Sequence, residues 1–170
     1  EYAEQYPTRF FDVGIAEEHA VTMAAGMASQ GAIPVCAIYS TFLQRGYDQL
    51  LHDVAIAGHH VVFGVDRAGL VGADGETHQG IFDVPYLMTV PGMKLLSPSS
   101  FAELNTALRY GALACTGPVA IRYPRGGEGA YCDDTMDRPF IEVQNGNGCA
   151  VVTYGMLVND ALRAAEKLGE

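Results

Sequence analysis

An acidic pair, Glu17-Glu18, opens a long Ala-rich pattern directly after the apolar run 10–15. A carboxylate placed there falls where a small molecule would be met and is half of a catalytic device. It can equally serve only the helix dipole, since acids in a first turn are favoured by about 0.3–1 kcal/mol. Three further segments carry reactive side chains: Tyr39-Ser40-Thr41-Phe42-Leu43-Gln44-Arg45, the Gly-rich stretch 66–80, and Arg122-Tyr123-Pro124-Arg125-Gly126. Paired guanidinium groups such as Arg67 and Arg125 suit a phosphate, because each planar fork donates two parallel hydrogen bonds. A histidine such as His78 carries ring nitrogens that can donate or accept a proton, which suits proton transfer. Each also has an ordinary structural reading: the arginines as surface ion-pair partners, His78 as a solvated loop side chain, Tyr39 and Phe42 as core aromatics. Arg122, in the same segment as Arg125, is left open between a site role and a structural one, and His52, His59 and His60 carry no functional reading.

The stretch 66–80 interleaves Asp66, Arg67, Asp74 and His78 with Gly69, Gly72, Gly75 and Gly80. It has neither the G-K-[ST] ending of a phosphate loop nor the G-x-G-x-x-G spacing of a dinucleotide turn. It is nonetheless longer than the roughly 4–6 residues usual for connections in compact domains, and long ordered loops commonly carry function.

Something must gather these segments. Short runs rich in branched residues, at 34–39, 60–66, 93–98 and 118–123, alternate with helical patterns over 18–30, 42–57, 81–87 and 101–115. That alternation predicts repeated βαβ units. The fold class is therefore α/β, a mostly parallel sheet with helices on both faces, and 10–15 reads as a strand or strand end leading into Glu17. In such sheets ligands collect at the carboxyl ends of the strands, where all four polar segments would fall. Ser100 with Glu103 forms a capping-box pattern, and Gly31, Gly58 and Gly117 stand where helices should stop. Composition shifts at Gly126-Gly127-Glu128-Gly129. We read 1–128 as one domain, 129–140 as a linker, and 141–170 as the beginning of a second α/β domain with strands at 141–143 and 149–154 and a helix at 157–168.

Composition excludes several classes. A net charge of −10, with 10 basic against 20 acidic residues, argues against nucleic acid, whose phosphates require clustered Lys and Arg. No apolar run approaches the roughly 18 residues of a membrane span, and the start lacks the pattern of a secretory signal. It also lacks an initiator Met, which suggests an excised segment. Cys36, Cys115, Cys132 and Cys149 are scattered, so no metal or redox motif is expected, and a reducing compartment fits.

In order and spacing, Gly14-Ile15-Ala16-Glu17-Glu18-His19-Ala20, 39–45, 66–80 and 122–126 resemble the central domain of the 1-deoxy-D-xylulose-5-phosphate synthase family. These are thiamine diphosphate enzymes related to transketolase. The resemblance covers about 11–126, with a weaker likeness of 149–168 to the start of the carboxy-terminal domain. The acidic motif is shared with transketolases and with keto-acid dehydrogenase β subunits; 39–45 and Asp66-Arg67-Ala68-Gly69 make the distinction. One departure is Glu18, where the family usually carries Gln.

The resemblance implies a pyrimidine-binding domain of a synthase that condenses pyruvate with glyceraldehyde 3-phosphate, losing carbon dioxide. Glu17 would hydrogen-bond the aminopyrimidine ring and favour its imino tautomer, Phe42 would stack on that ring, and Arg45 would support it. Tyr39, Arg67, Asp74 and Arg125 would surround the acceptor, with the arginines on its phosphate, and His78 would move a proton. The family holds magnesium and the diphosphate on an amino-terminal domain with a Gly-Asp-Gly motif, which Gly72-Ala73-Asp74-Gly75 does not match. The 170 residues alone are therefore expected to be inactive, and the whole protein to be a homodimer in a bacterial cytoplasm, with a plastid origin left open. The alternatives are a transketolase, a keto-acid dehydrogenase β subunit, or a non-catalytic α/β binding module.

Overall fold

Four runs of branched residues pair in parallel in this computed structural model, which describes residues 1–169. They are β1 (Val35–Tyr39), β2 (Val62–Asp66), β3 (Lys94–Leu96) and β4 (Val119–Arg122), in the order β1-β2-β4-β3. The register sets Tyr39 level with Asp66, and Val65 level with Arg122. The carboxyl ends of three strands thus finish at one height.

The helices are α1 (Tyr2–Gln5), α2 (Glu17–Ser29), α3 (Ser40–Leu43), α4 (Tyr47–Gln49), α5 (Asp83–Leu87), α6 (Phe101–Leu113) and α7 (Leu157–Leu168). Alternation along the strands sorts the core into two layers. Cys36, Ile38, Phe63, Val65 and Ala120 face α2 and the segment that follows β1, whereas Val62, Val119 and Ile121 face α6. Helices therefore cover both faces, as a parallel sheet requires. Burial pushes the Cys36 thiol up to about 11, consistent with an inert core residue. No helix among the described residues is long and apolar enough to cross a membrane.

Three sequence expectations need correction. Residues 10–15 form no strand: Asp12 accepts a hydrogen bond from the Gly14 amide at 2.8 Å, Gly14 takes φ +68°, and the resulting turn breaks the extended run. Residues 141–143 and 149–154 are also outside any strand, because no described strand lies beside them to complete a ladder. The helix expected at 42–57 begins at Ser40 and is broken, passing through a 3-10 turn (Gln44–Gly46) and α4 into a π-helical turn (Leu50–Ala55).

Two polar joints tie the layers. Arg122 donates to both oxygens of Asp83 at 2.8 and 3.2 Å, joining β4 to α5. At α6, Ser100 Oγ accepts from the Glu103 amide at 3.0 Å. The Glu103 carboxylate reaches one residue beyond the expected box, to the Ser99 amide at 2.7 Å, and accepts from the Thr135 hydroxyl at 2.6 Å.

Candidate active site

The turn at Asp12–Gly14 delivers the chain into α2 with Glu17 as its first residue. Across from it, Gly46 sits in the break after α3. A Cβ there would stand 3.1 Å from Val21 Cγ2 and 3.6 Å from the Glu17 carbonyl oxygen. A side chain there would press on Val21, so glycine suits the close pass of the break against α2. The approach lets Arg45 donate to Glu17 Oε1 at 2.9 Å, with the Glu17 side chain 11% exposed. The Arg45 guanidinium also lies 4.8 Å from the centre of the Phe42 ring, an attractive cation–π geometry.

From Phe42 the contacts continue along the rim. Tyr39 lies nearly parallel to Phe42 at 6.2 Å, and the His78 ring meets Phe42 edge-on at 5.1 Å and Tyr39 at 6.1 Å. His78 Nδ1 is hydrogen-bonded to the Thr77 hydroxyl at 2.9 Å. Arg67 lies over the Tyr39 ring at 4.1 Å and pairs with Asp66 at 2.5 Å and Asp74 at 3.4 Å. Arg125 takes the second oxygen of Asp74. One carboxylate therefore spaces the two arginines, and with Asp66 included the four-group cluster carries no net charge. Arg67 adopts φ +56°, a left-handed conformation uncommon outside glycine and worth noting at a candidate site.

The loop that carries Arg67, Asp74 and His78 is pinned at its base. Gly69 and Gly80 exchange reciprocal backbone hydrogen bonds at 2.8 Å. Inside, Gln79 bonds Val71 N at 2.9 Å and Gly75 O at 2.7 Å, bracing two 3-10 turns, Gly72–Asp74 and Glu76–His78. A Cβ on Gly80 would collide with the Arg67 carbonyl oxygen and lie 2.7 Å from Ser40 Oγ. Overpacking of this kind typically costs about 1–3 kcal/mol. Gly80→Ala is therefore expected to lower the urea midpoint and to speed trypsin cleavage at Arg67; an unchanged midpoint and cleavage rate would count against the pinned loop.

The structure brings Glu17, Tyr39, Phe42, Arg45, Arg67, Asp74, His78 and Arg125 onto one rim. Arg122 is not among them, since its guanidinium is taken by buried Asp83. Thr77 and Gly46 are parts that residue typing missed, while Asp66 and Gly80 were read as members of the loop without a role of their own at the site. Asp66 alone had a readable signal, as the last residue of an apolar strand run. Behind Arg67 and Arg125 lies a cavity of about 330 Å³, walled also by Phe101, Leu104, Tyr123 and Met156. Among the described residues no group of three or more His, Cys, Asp or Glu is placed to hold a metal ion.

A parallel sheet whose carboxyl rim carries an acid beside a half-buried aromatic, with cations further along, defines an α/β domain of the kind that collects ligands at its strand ends. Residues 1–127 match the family model described as the transketolase pyrimidine-binding domain, and the chain belongs to that family. Curated relatives include 1-deoxy-D-xylulose-5-phosphate synthases of Clostridium kluyveri, 55% identical, and Pseudomonas savastanoi, 52% identical, each over 98% of this chain. The chain spans 27% of the length of either relative. Among solved structures, a split-gene transketolase described as an inactive β4 tetramer aligns with TM-score 0.82 at 27% identity, covering 99% of this chain and 56% of that one. Transketolase from Leishmania mexicana aligns over 64% of this chain and 16% of its own, with TM-score 0.60 at 23% identity, a likeness of fold alone.

Proposed function

We propose that this chain is the pyrimidine-binding part of a 1-deoxy-D-xylulose-5-phosphate synthase, joining pyruvate to glyceraldehyde 3-phosphate with loss of carbon dioxide. The observation that supports this most is the unbroken line of contacts from Glu17 through Arg45, Phe42, Tyr39 and Arg67 to Asp74 and Arg125. An acid stands at one end of this rim and two guanidinium groups at the other, which supports a proton-tuning role for the first and an anion-binding role for the second.

The donor set fits thiamine diphosphate at its pyrimidine end, because a largely shielded carboxylate and an aromatic face are joined by one guanidinium. Glu17 would hold the ring nitrogen, Phe42 would stack on the ring, and Arg45, in contact with both side chains, would support them. When bound, the cofactor supplies the electron sink that decarboxylation of pyruvate needs. His78 passes a proton to or from the reacting oxygen, its ring steered by Phe42 and Thr77. Tyr39 and Asp74 frame the acceptor, while Arg67 and Arg125 grip its phosphate through charge-assisted hydrogen bonds. Magnesium and the diphosphate fall to a Gly-Asp-Gly segment, which the 170 residues do not contain. In this reading 1–128 is the pyrimidine-binding domain, 129–140 the linker and 141–170 the start of a carboxy-terminal domain. The whole enzyme is a homodimer working in a bacterial cytoplasm.

The test is an assay of the full-length protein with pyruvate and glyceraldehyde 3-phosphate, beside the isolated 170 residues. The full-length protein is expected to form 1-deoxy-D-xylulose 5-phosphate and the isolated chain none. Product from a ketose phosphate donor but none from pyruvate would favour a transketolase instead. Turnover by the isolated chain would overturn the division of labour.

A further inference from the structure

Arg125 sits on the Gly-rich segment Arg125-Gly126-Gly127-Glu128-Gly129, with its side chain 46% exposed. Such a segment is entropically expensive to hold, since glycine loses the most conformational freedom on ordering. It also spans the cavity of about 330 Å³, so little packing supports it from beneath. On its amino side it is tied to the sheet, where the Tyr123 amide donates to Val65 O at 3.0 Å.

Two side chains fix the far side. Glu128 Oε1 accepts from the Phe101 amide at 2.6 Å, in the first turn of α6, where the helix dipole favours a negative charge. Asn159, on α7, accepts from the Tyr131 amide at 2.9 Å, and its own amide group donates to Met156 O at 3.3 Å. Gly129 lies so close that a Cβ there would collide with the Asn159 amide. Tyr131 itself is buried, at 7% exposure, and its hydroxyl is hydrogen-bonded to Thr135 at 3.2 Å. The strap bearing Arg125 is therefore stretched between β4, α6 and α7, and one of its anchors comes from beyond the sheet domain.

We propose that Glu128 and Asn159 are positioning residues that set Arg125 on the acceptor's phosphate, so that α7 governs acceptor affinity without touching the acceptor. The proposal rests on the synthase reading for the identity of that acceptor. In the full-length enzyme, Glu128→Ala and Asn159→Ala are each expected to raise KM for glyceraldehyde 3-phosphate about tenfold, with kcat and KM for pyruvate little changed. KM for unphosphorylated glyceraldehyde should not move, because it has no phosphate for Arg125 to hold. Gly129→Ala should reproduce Asn159→Ala, since it drives the amide away. Glu128→Gln and Asn159→Asp, which keep an acceptor oxygen, should recover most of the loss and serve where an alanine variant fails to fold.

Binding of inorganic phosphate to the same variants, followed by phosphorus NMR line broadening, reads the strap without turnover. If wild type makes no product from the two substrates yet Asn159→Ala weakens phosphate binding about tenfold, the synthase reading falls and the positioning role stands. Equal phosphate affinity in wild type and variants overturns the proposal. So does a KM increase shared by the phosphorylated and unphosphorylated aldehydes.

Discussion

Glu17→Ala in the full-length enzyme is expected to lower kcat with pyruvate and glyceraldehyde 3-phosphate by about 10²–10⁴-fold, the usual worth of a positioned acid–base group. The carboxylate occupies the first position of α2, is 11% exposed, and has Arg45 at 2.9 Å. In this shielded setting a hydrogen bond to a bound ring is electrostatically stronger than in water. Glu17→Gln separates the contributions: it keeps a hydrogen-bonding side chain and removes the charge, so activity close to the alanine variant would assign the effect to ionisation. Thermal unfolding should change little, because the Arg45 partner is half exposed and such pairs contribute little to stability. Comparable turnover by wild type and Glu17→Ala would remove the principal site assignment.

The second large effect is on stability. Asp83 is 1% exposed and binds Arg122 through both oxygens, while Arg122 is itself only 12% exposed. Deleting one partner of a buried pair strands the other charge, at a cost of about 3–5 kcal/mol. Domains are typically stable by only about 5–15 kcal/mol, so Asp83→Ala should stand close to unfolding at physiological temperature. Urea unfolding followed by circular dichroism measures this directly. Replacing both residues, as in Asp83→Leu with Arg122→Met, should restore much of the lost stability, because an apolar pair of similar volume is often neutral. If Asp83→Ala unfolds at the wild-type midpoint, the joint between β4 and α5 is not structural.

The four strands were legible because each falls in a short apolar run rich in branched residues, a local signal, although only the central β2 and β4 are buried on both faces. Capping at Ser100 was legible for the same reason. The misreadings share a different cause. Residues 10–15 are apolar enough for a strand, but the Asp12 side chain bonds the Gly14 amide and turns the chain, and local side-chain bonds of this kind compete with pairing. At Gly46, where the helix is broken, the chain passes close to Val21 and Glu17 of α2, a neighbour that no window around 46 records.

Residue types at the site were visible because four polar segments each follow a strand or open a helix. Their pairings were not. Asp74 meets Arg125 across 51 positions, and Arg122 meets Asp83 across 39. The same chemistry on the page, two arginines near one strand end, resolves into one that faces the rim and one locked in the interior.

Because β1, β2 and β4 end flush, with Tyr39 opposite Asp66 and Val65 opposite Arg122, interior and chemistry share a single ruler. Losing one residue from β2 would turn Phe63 and Val65 to the wrong side and, in the same stroke, retract Asp66 and Arg67 from reach of their partners. Connections beyond the strand ends face no such constraint. Diversification of what this scaffold accepts is thus open to insertions past those ends and closed to changes in strand length.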